Sequence, residues 1–293
     1  MATGVGLLCS RVRVEEKGIL AALSSAGVPG CTIPPDQPLP APASPAVSTG
    51  PTVVIDRYTN RTAAPVLLSL LAARGIATID AGIAARNNRV ETALALQAAG
   101  LPRPEMRVAI GEEAALGIVG AAGTAMTLLP LTEGSAGITL WDRDTAEAVL
   151  EHRGVLGGAA ESVFLLQHGA PRPAERVTMT VAGGTVVGAE TTGDRSGWPE
   201  AMALATRAAS VLRAGLVGVE LAHTPDGWVV WDIVPVPDFR AAVPVGSTTI
   251  AAAIADYAAR HLGERSARVV AFELAALHRA TAGGLMDGLA ASV

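Results

Sequence analysis

The sequence predicts an α/β protein assembled from α+β lobes. Short strand-like runs alternate with helix-period segments, and glycines close most of the helical patterns. Half of the 293 residues are hydrophobic but only 3% are aromatic, so the core is expected to be small aliphatics on helices and strands. The length suffices for one large domain or two to three small ones. A net charge of −5 with scattered signs and no basic stripe argues against nucleic acid and favours a small molecule or a carrier protein as partner.

Cys9 and Cys31 have neither metal-ligand nor disulfide-scaffold spacing, which fits a reducing, cytoplasmic setting. The short apolar run over 5–9 lacks a preceding charge and is not expected to act as a signal peptide. The uncharged stretch 114–132 has membrane length, yet three glycines and a proline break it into a helix end, a turn and a strand. No membrane association is expected. Lys17 is the only lysine, so 21 of the 22 basic residues are arginine. No site away from Lys17 can therefore use a side-chain ammonium.

Taken in order, 6–10 reads as a strand and 14–26 as a helix with Glu15 and Glu16 in its first turn, where carboxylates suit the helix dipole. Eight prolines between 28 and 51 predict an irregular connection. A strand over 52–56, a helix over 61–74 and a strand over 77–79 complete a small parallel sheet. Asn87 and Asn88 can cap a helix over 89–99. Strand 106–110, helix 112–120, strand 125–130, a glycine loop, strand 137–141, helix 144–153 and strand 162–167 form a second layer. A hairpin, 175–181 and 185–191, a helix over 198–214, a second hairpin over 216–239 and a helix over 249–262 form a third. Val270, Leu274 and Leu277 recur at helical spacing in the tail, so 265–281 is expected to be an amphipathic helix.

The second hairpin carries the chemistry. Two apolar, β-branched runs flank Thr224-Pro225-Asp226-Gly227. A loop centred on Asp226 sets Glu220 opposite Asp232 and puts Val217, Val219, Leu221, Val229, Trp231 and Ile233 on the buried face. Opposed carboxylates repel each other. Either a hard divalent ion such as Mg²⁺ or arginines would relieve that. Glu133-Gly134-Ser135-Ala136-Gly137, between two strands, could fold over nucleotide phosphates with Gly134, Ser135 and Gly137, or be a plain turn. Its strand-to-strand setting excludes Walker and Rossmann loops. Gln167 and His168 at a strand end could meet a base edge, and Arg89 and Arg176 could grip phosphate or carboxylate. Nucleophile elbows and zinc spacing are absent from the sequence pattern.

Several stretches resemble the LysX/RimK branch of the ATP-grasp superfamily. These are Leu7-Leu8-Cys9-Ser10-Arg11-Val12-Arg13-Val14-Glu15-Glu16-Lys17, residues 53–57, Asn87-Asn88-Arg89 with 93–104, and Leu150-Glu151-His152-Arg153-Gly154-Val155-Leu156-Gly157. The resemblance covers about 5–262. It implies an ATP-grasp fold with a Rossmann-like pre-ATP-grasp lobe over 1–85, a central lobe over 86–170, a C-terminal lobe over 171–262 and a helical tail over 263–293. It further implies ATP- and Mg²⁺-dependent amide-bond formation, through an acyl phosphate, between a carboxylate such as the terminal Glu of an acidic carrier protein and an amino-acid amine, hence a place in amino-acid biosynthesis. By the same resemblance Arg89 and Leu129 stand where the family has its two nucleotide lysines, and Gly134, Ser135 and Gly137 form its glycine loop. Ile138 takes the place of an arginine there. His168 stands in place of a glutamate, Arg176 acts near the phosphates, Glu220 and Asp232 hold the metal, and Val234 stands in place of an asparagine. The substrate loop between Thr192 and Trp198 is short. Two functions remain open: a ligase with an altered nucleotide site, or a non-catalytic paralogue, a pseudoenzyme that supports a true ligase or binds its carrier. A homo- or hetero-oligomer is expected in either case, and a purely structural α/β protein stands third.

Overall fold

Three sheets, each with its own helices, make up the protein in a computed structural model that describes residues 4–36, 50–132, 137–156, 162–172, 175–193, 195 and 197–264. The expected glycine-loop residues Gly134 and Ser135 and the expected tail helix lie outside the described residues. The first sheet is parallel, in the order β2-β1-β3-β4, from β1 (Val5–Leu8), β2 (Gly30–Ile33), β3 (Val53–Asp56) and β4 (Ala77–Ile79). Its central strands are buried along their whole length, as a parallel sheet covered on both faces requires. Val5, Leu7, Val53 and Ile55 face α1 (Val14–Ser25). Leu8 and Val54 face α2 (Ala64–Ala73) on the other side. Strand β2 corrects the expectation of an irregular run from 28 onward. It is a four-residue edge strand between Pro29 and Pro34, and an edge position tolerates flanking prolines because only one side of the ladder needs donors.

The second sheet is antiparallel, in the order β5-β8-β6-β7, from β5 (Met106–Ile110), β6 (Met126–Leu129), β7 (Ile138–Leu140) and β8 (Val163–His168). Helices α5 (Glu112–Ala122) and α6 (Arg143–Leu156) cover one face around Met126, Leu128, Phe164 and Leu166. That leaves Thr127 and Leu129 on the other, turned toward a cleft. The preceding helices are α3 (Ile83–Asn87) and α4 (Arg89–Ala98). Leu96 of α4 joins the core of the third sheet instead.

The third sheet is antiparallel, in the order β12-β11-β9-β10-β13, from β9 (Arg176–Ala182), β10 (Thr185–Glu190), β11 (Leu216–Thr224), β12 (Gly227–Val234) and the two-residue β13 (Val243–Pro244), which the sequence reading did not foresee. Helix α7 (Trp198–Leu212) packs on one face through Ala201, Ala205 and Ala208. The other face merges with the first sheet's core through the helix over 250–264, here α8, whose Ile250, Ile254 and Ala258 lie among Val5, Leu7, Leu216 and Phe239. The first and third sheets thus share a core, while the second has its own.

Glu220 does face Asp232, but by a different route from the one expected. Thr224 pairs with Gly227, so the loop is only Pro225 and Asp226, and a bulge between Leu221·Val230 and Glu220·Asp232 restores the pairing. The bulge also corrects the predicted buried face. Val230 joins Val217, Val219, Leu221 and Ile233 in the core, Val229 is only half-buried, and Trp231 turns to the cleft. An extra residue shifts every later side chain by one face until the ladder recovers.

Candidate functional site

The cleft lies between the second and third sheets. Its volume is about 270 Å³, and its walls include Thr127, Leu129 and Gly137 from one side and Arg176, Glu220, Trp231 and Asp232 from the other. Gly137 admits close packing that a larger residue would not: a Cβ there would lie 2.4 Å from Thr127 Cγ2 and 2.9 Å from the Leu128 carbonyl.

Glu220 and Asp232 are each held by an arginine. Arg89 opens α4, next to Asn88, whose side chain caps the helix by accepting from the Glu91 N–H. Its guanidinium donates from Nε and Nη2 to both oxygens of Asp232 at 2.8–3.1 Å. Its Nη1 donates to the Pro130 carbonyl at 2.7 Å, and its backbone N–H to the Leu131 carbonyl at 3.0 Å. A cation at a helix N-terminus opposes the dipole; the bidentate carboxylate offsets that cost with two charge-assisted bonds. Arg176 sits opposite Ala222, one diagonal step from Glu220 on the same face, and Nη1 donates to Glu220 Oε1 at 2.9 Å. Burial pushes the Glu220 carboxyl above its ordinary range. The Arg176 hydrogen bond opposes this, the nearby Asp232 charge adds to it, and the charges of Arg176 and Arg89 also oppose it.

The structure therefore gathers Gly137, Arg176, Glu220 and Asp232 in one cleft, with Arg89 reaching Asp232 from α4. It places the other two candidates elsewhere. Gln167 is fully buried beneath the cleft and donates Nε2 to the Trp231 carbonyl at 3.1 Å. Exposed His168 lies 2.9 Å from Thr124 Oγ1. Trp141 and Trp231 also line the cleft. No sequence signal assigned Trp231 there, because the bulge that turns it is invisible to alternation.

Two comparisons bear on this architecture. Residues 5–86 match the LysX preATP-grasp domain model. A crystal structure of a RimK domain ATP-grasp protein from Sphaerobacter thermophilus DSM 20745 superposes with a TM-score of 0.74 at 30% identity, over 87% of this chain and 98% of that one. The chain belongs to the ATP-grasp superfamily, in its LysX/RimK branch. The ATP-grasp fold is shared more distantly with the ligase PsnB, solved with a minimal precursor, Mg and ADP (TM-score 0.59, 16% identity, 88% of this chain and 98% of that one). It is likewise shared with the D-alanine–D-alanine ligase of Bacillus anthracis, solved with ATP (TM-score 0.63, 10% identity, 90% and 99%).

Magnesium in a nucleotide complex takes one or two carboxylates beside phosphates and waters, and here Glu220 and Asp232, the carboxylates that would hold it, are each paired with a guanidinium. No group of three potential metal ligands occurs among the described residues. Leu129, which the resemblance sets at the place of the second nucleotide lysine, is an apolar wall with 2% exposure. Val234 pairs with Gly218 within the ladder and has no ligand atom on its side chain. Lys17 sits on α1. Among the described residues, no helix is long and apolar enough to cross a membrane.

Proposed function

We propose that this ATP-grasp protein is a non-catalytic member of the LysX/RimK branch, which uses the ligase scaffold to support an active ligase or to bind its carrier protein. The observation that carries this reading is the internal neutralisation of both hairpin carboxylates by Arg89 and Arg176, in a cleft whose lining contains no ammonium. A metal at these carboxylates would have to compete with two arginine pairs, and at Asp232 it would displace charge-assisted hydrogen bonds from both Nε and Nη2 of Arg89.

A second reading, a ligase with an altered nucleotide site, is favoured by the convergence of Gly137, Arg176, Glu220 and Asp232 on one cleft. On that reading the arginines turn from the carboxylates to phosphate oxygens, and the substrates are a carboxylate and an amino-acid amine. Thermal melting separates the two. A ligand that binds only the native state raises the melting temperature by mass action. The proposed function expects no shift at millimolar ATP and Mg²⁺ and no ADP release with a carrier carboxylate and amine present. A shift that Asp232→Asn abolishes would establish the ligase reading. A cytoplasmic location and an oligomer with the active ligase belong to the same proposal.

A further inference from the structure

Arg89 bonds in two directions at once. Nε and Nη2 close on Asp232 of β12, while Nη1 and the backbone N–H close on the carbonyls of Pro130 and Leu131, directly after β6. The first contact is on the third sheet and the second is on the sheet that has a separate hydrophobic core. Among the described residues, other polar bonds across that boundary include Val230 N–H to the Pro102 carbonyl at 2.8 Å and Gln167 Nε2 to the Trp231 carbonyl at 3.1 Å. Arg89 is nearly enclosed, with its side chain 9% exposed and that of Asp232 13%. Water therefore competes poorly for these bonds.

We infer that Arg89 is an internal latch, a guanidinium that occupies the cation position at Asp232 and in the same gesture fastens the central lobe to the C-terminal sheet. The cation half rests on the functional reading above; the fastening half rests on the four donor groups alone. The planar fork matters as well as the charge. An ammonium at the end of a lysine is a point donor and cannot reach a bidentate carboxylate and a carbonyl on another strand in fixed geometry. Charge and fastening are therefore separable by substitution.

Hydrogen exchange on the full chain, without nucleotide, reads the latch through two amides. The amide of Arg89 is bonded to Leu131, and that of Ile233 to Asp232 Oδ1 at 2.8 Å. Arg89→Ala is expected to speed exchange at both by about tenfold or more, as loss of charged hydrogen bonds lowers the local opening free energy. The β3 amides in the first sheet serve as control and keep the wild-type rate. Arg89→Lys should speed exchange comparably, because it keeps charge but loses the fork. Manganese(II), as a hard-cation probe, should slow exchange again at Ile233 in Arg89→Ala and leave the wild type unchanged. Unaltered exchange in Arg89→Ala would overturn the latch. If that variant does not fold, unaltered exchange at Arg89 in Asp232→Asn would overturn it equally. Failure of manganese to act on Arg89→Ala would overturn the cation half. ATP binding by the wild type would refute the functional reading and leave the exchange result to decide the latch by itself.

Discussion

At Glu220, desolvation and ion pairing pull in opposite directions, and desolvation prevails in raising the carboxyl pKa. The sign of the stability effect follows by linkage. A carboxyl whose folded pKa lies above its unfolded one favours the folded state more as pH falls through the folded pKa, and opposes folding when ionised above it. Glu220→Gln keeps an acceptor for Arg176 and removes the ionised form. It should melt above the wild type at neutral pH, and the advantage should shrink as pH falls through the raised pKa toward the ordinary carboxylate range of about 4.3. Melting curves at several pH values check this, and a constant difference would contradict it. Leu129 poses the complementary question. Leu129→Lys places an ammonium at a position with 2% exposure, so it is expected to cost several kcal/mol in urea denaturation with no gain in nucleotide binding.

Among the elements, β6 and the residue just before β7 are packed too tightly for any side chain at Gly137. One of the atoms that its Cβ would meet is a backbone carbonyl, which cannot swing away. Gly137→Ala should therefore cost about 1–3 kcal/mol by overpacking, measured as a lower denaturation midpoint at unchanged slope. The element pattern was largely legible in the sequence: β5 and β4 fall on the expected residues, and Asn88 caps α4 as its position before Arg89 suggested. Besides α3 and β13, three features were not legible. Strand β2 is too short and too proline-flanked to give a period, and it forms because β1 offers it an edge. The bulge in β12 leaves no mark on alternation until Val230 and Trp231 are seen on opposite sides. At the site, the residue types that meet could be named, but not that Arg89 would take Asp232 across 143 positions of chain. That pairing depends on how α4 lies against the third sheet, which is a packing outcome rather than a local one.

Over the whole molecule, the first and third sheets behave as one body because α8 and a buried arginine join them. Arg57, at the end of β3, donates Nε to Glu16 at 2.8 Å and Nη1 to the Pro237 carbonyl at 2.7 Å, and lies 5.4 Å over the Phe239 ring. Both members of the Arg57–Glu16 pair are fully buried. Burial penalises the charged form of Glu16, yet the hydrogen bonds from Arg13 and Arg57 together hold its pKa below the ordinary value. Arg57→Ala leaves buried Glu16 with Arg13 as its partner but removes the Arg57 bonds to Glu16 and to the Pro237 carbonyl, so it should destabilise by about 3 kcal/mol. The loss should appear as a single transition for the first and third sheets, and separate transitions would show that they do not share a core. The central sheet, with its own core, meets this body at the cleft where Arg89 and Arg176 neutralise Asp232 and Glu220. The most direct test of that neutralisation is a titration of the wild-type protein with Mn²⁺, with and without ATP, following free manganese by electron paramagnetic resonance. The protein is expected to withdraw no manganese from solution in either case. A stoichiometric site that disappears in Asp232→Asn would contradict it.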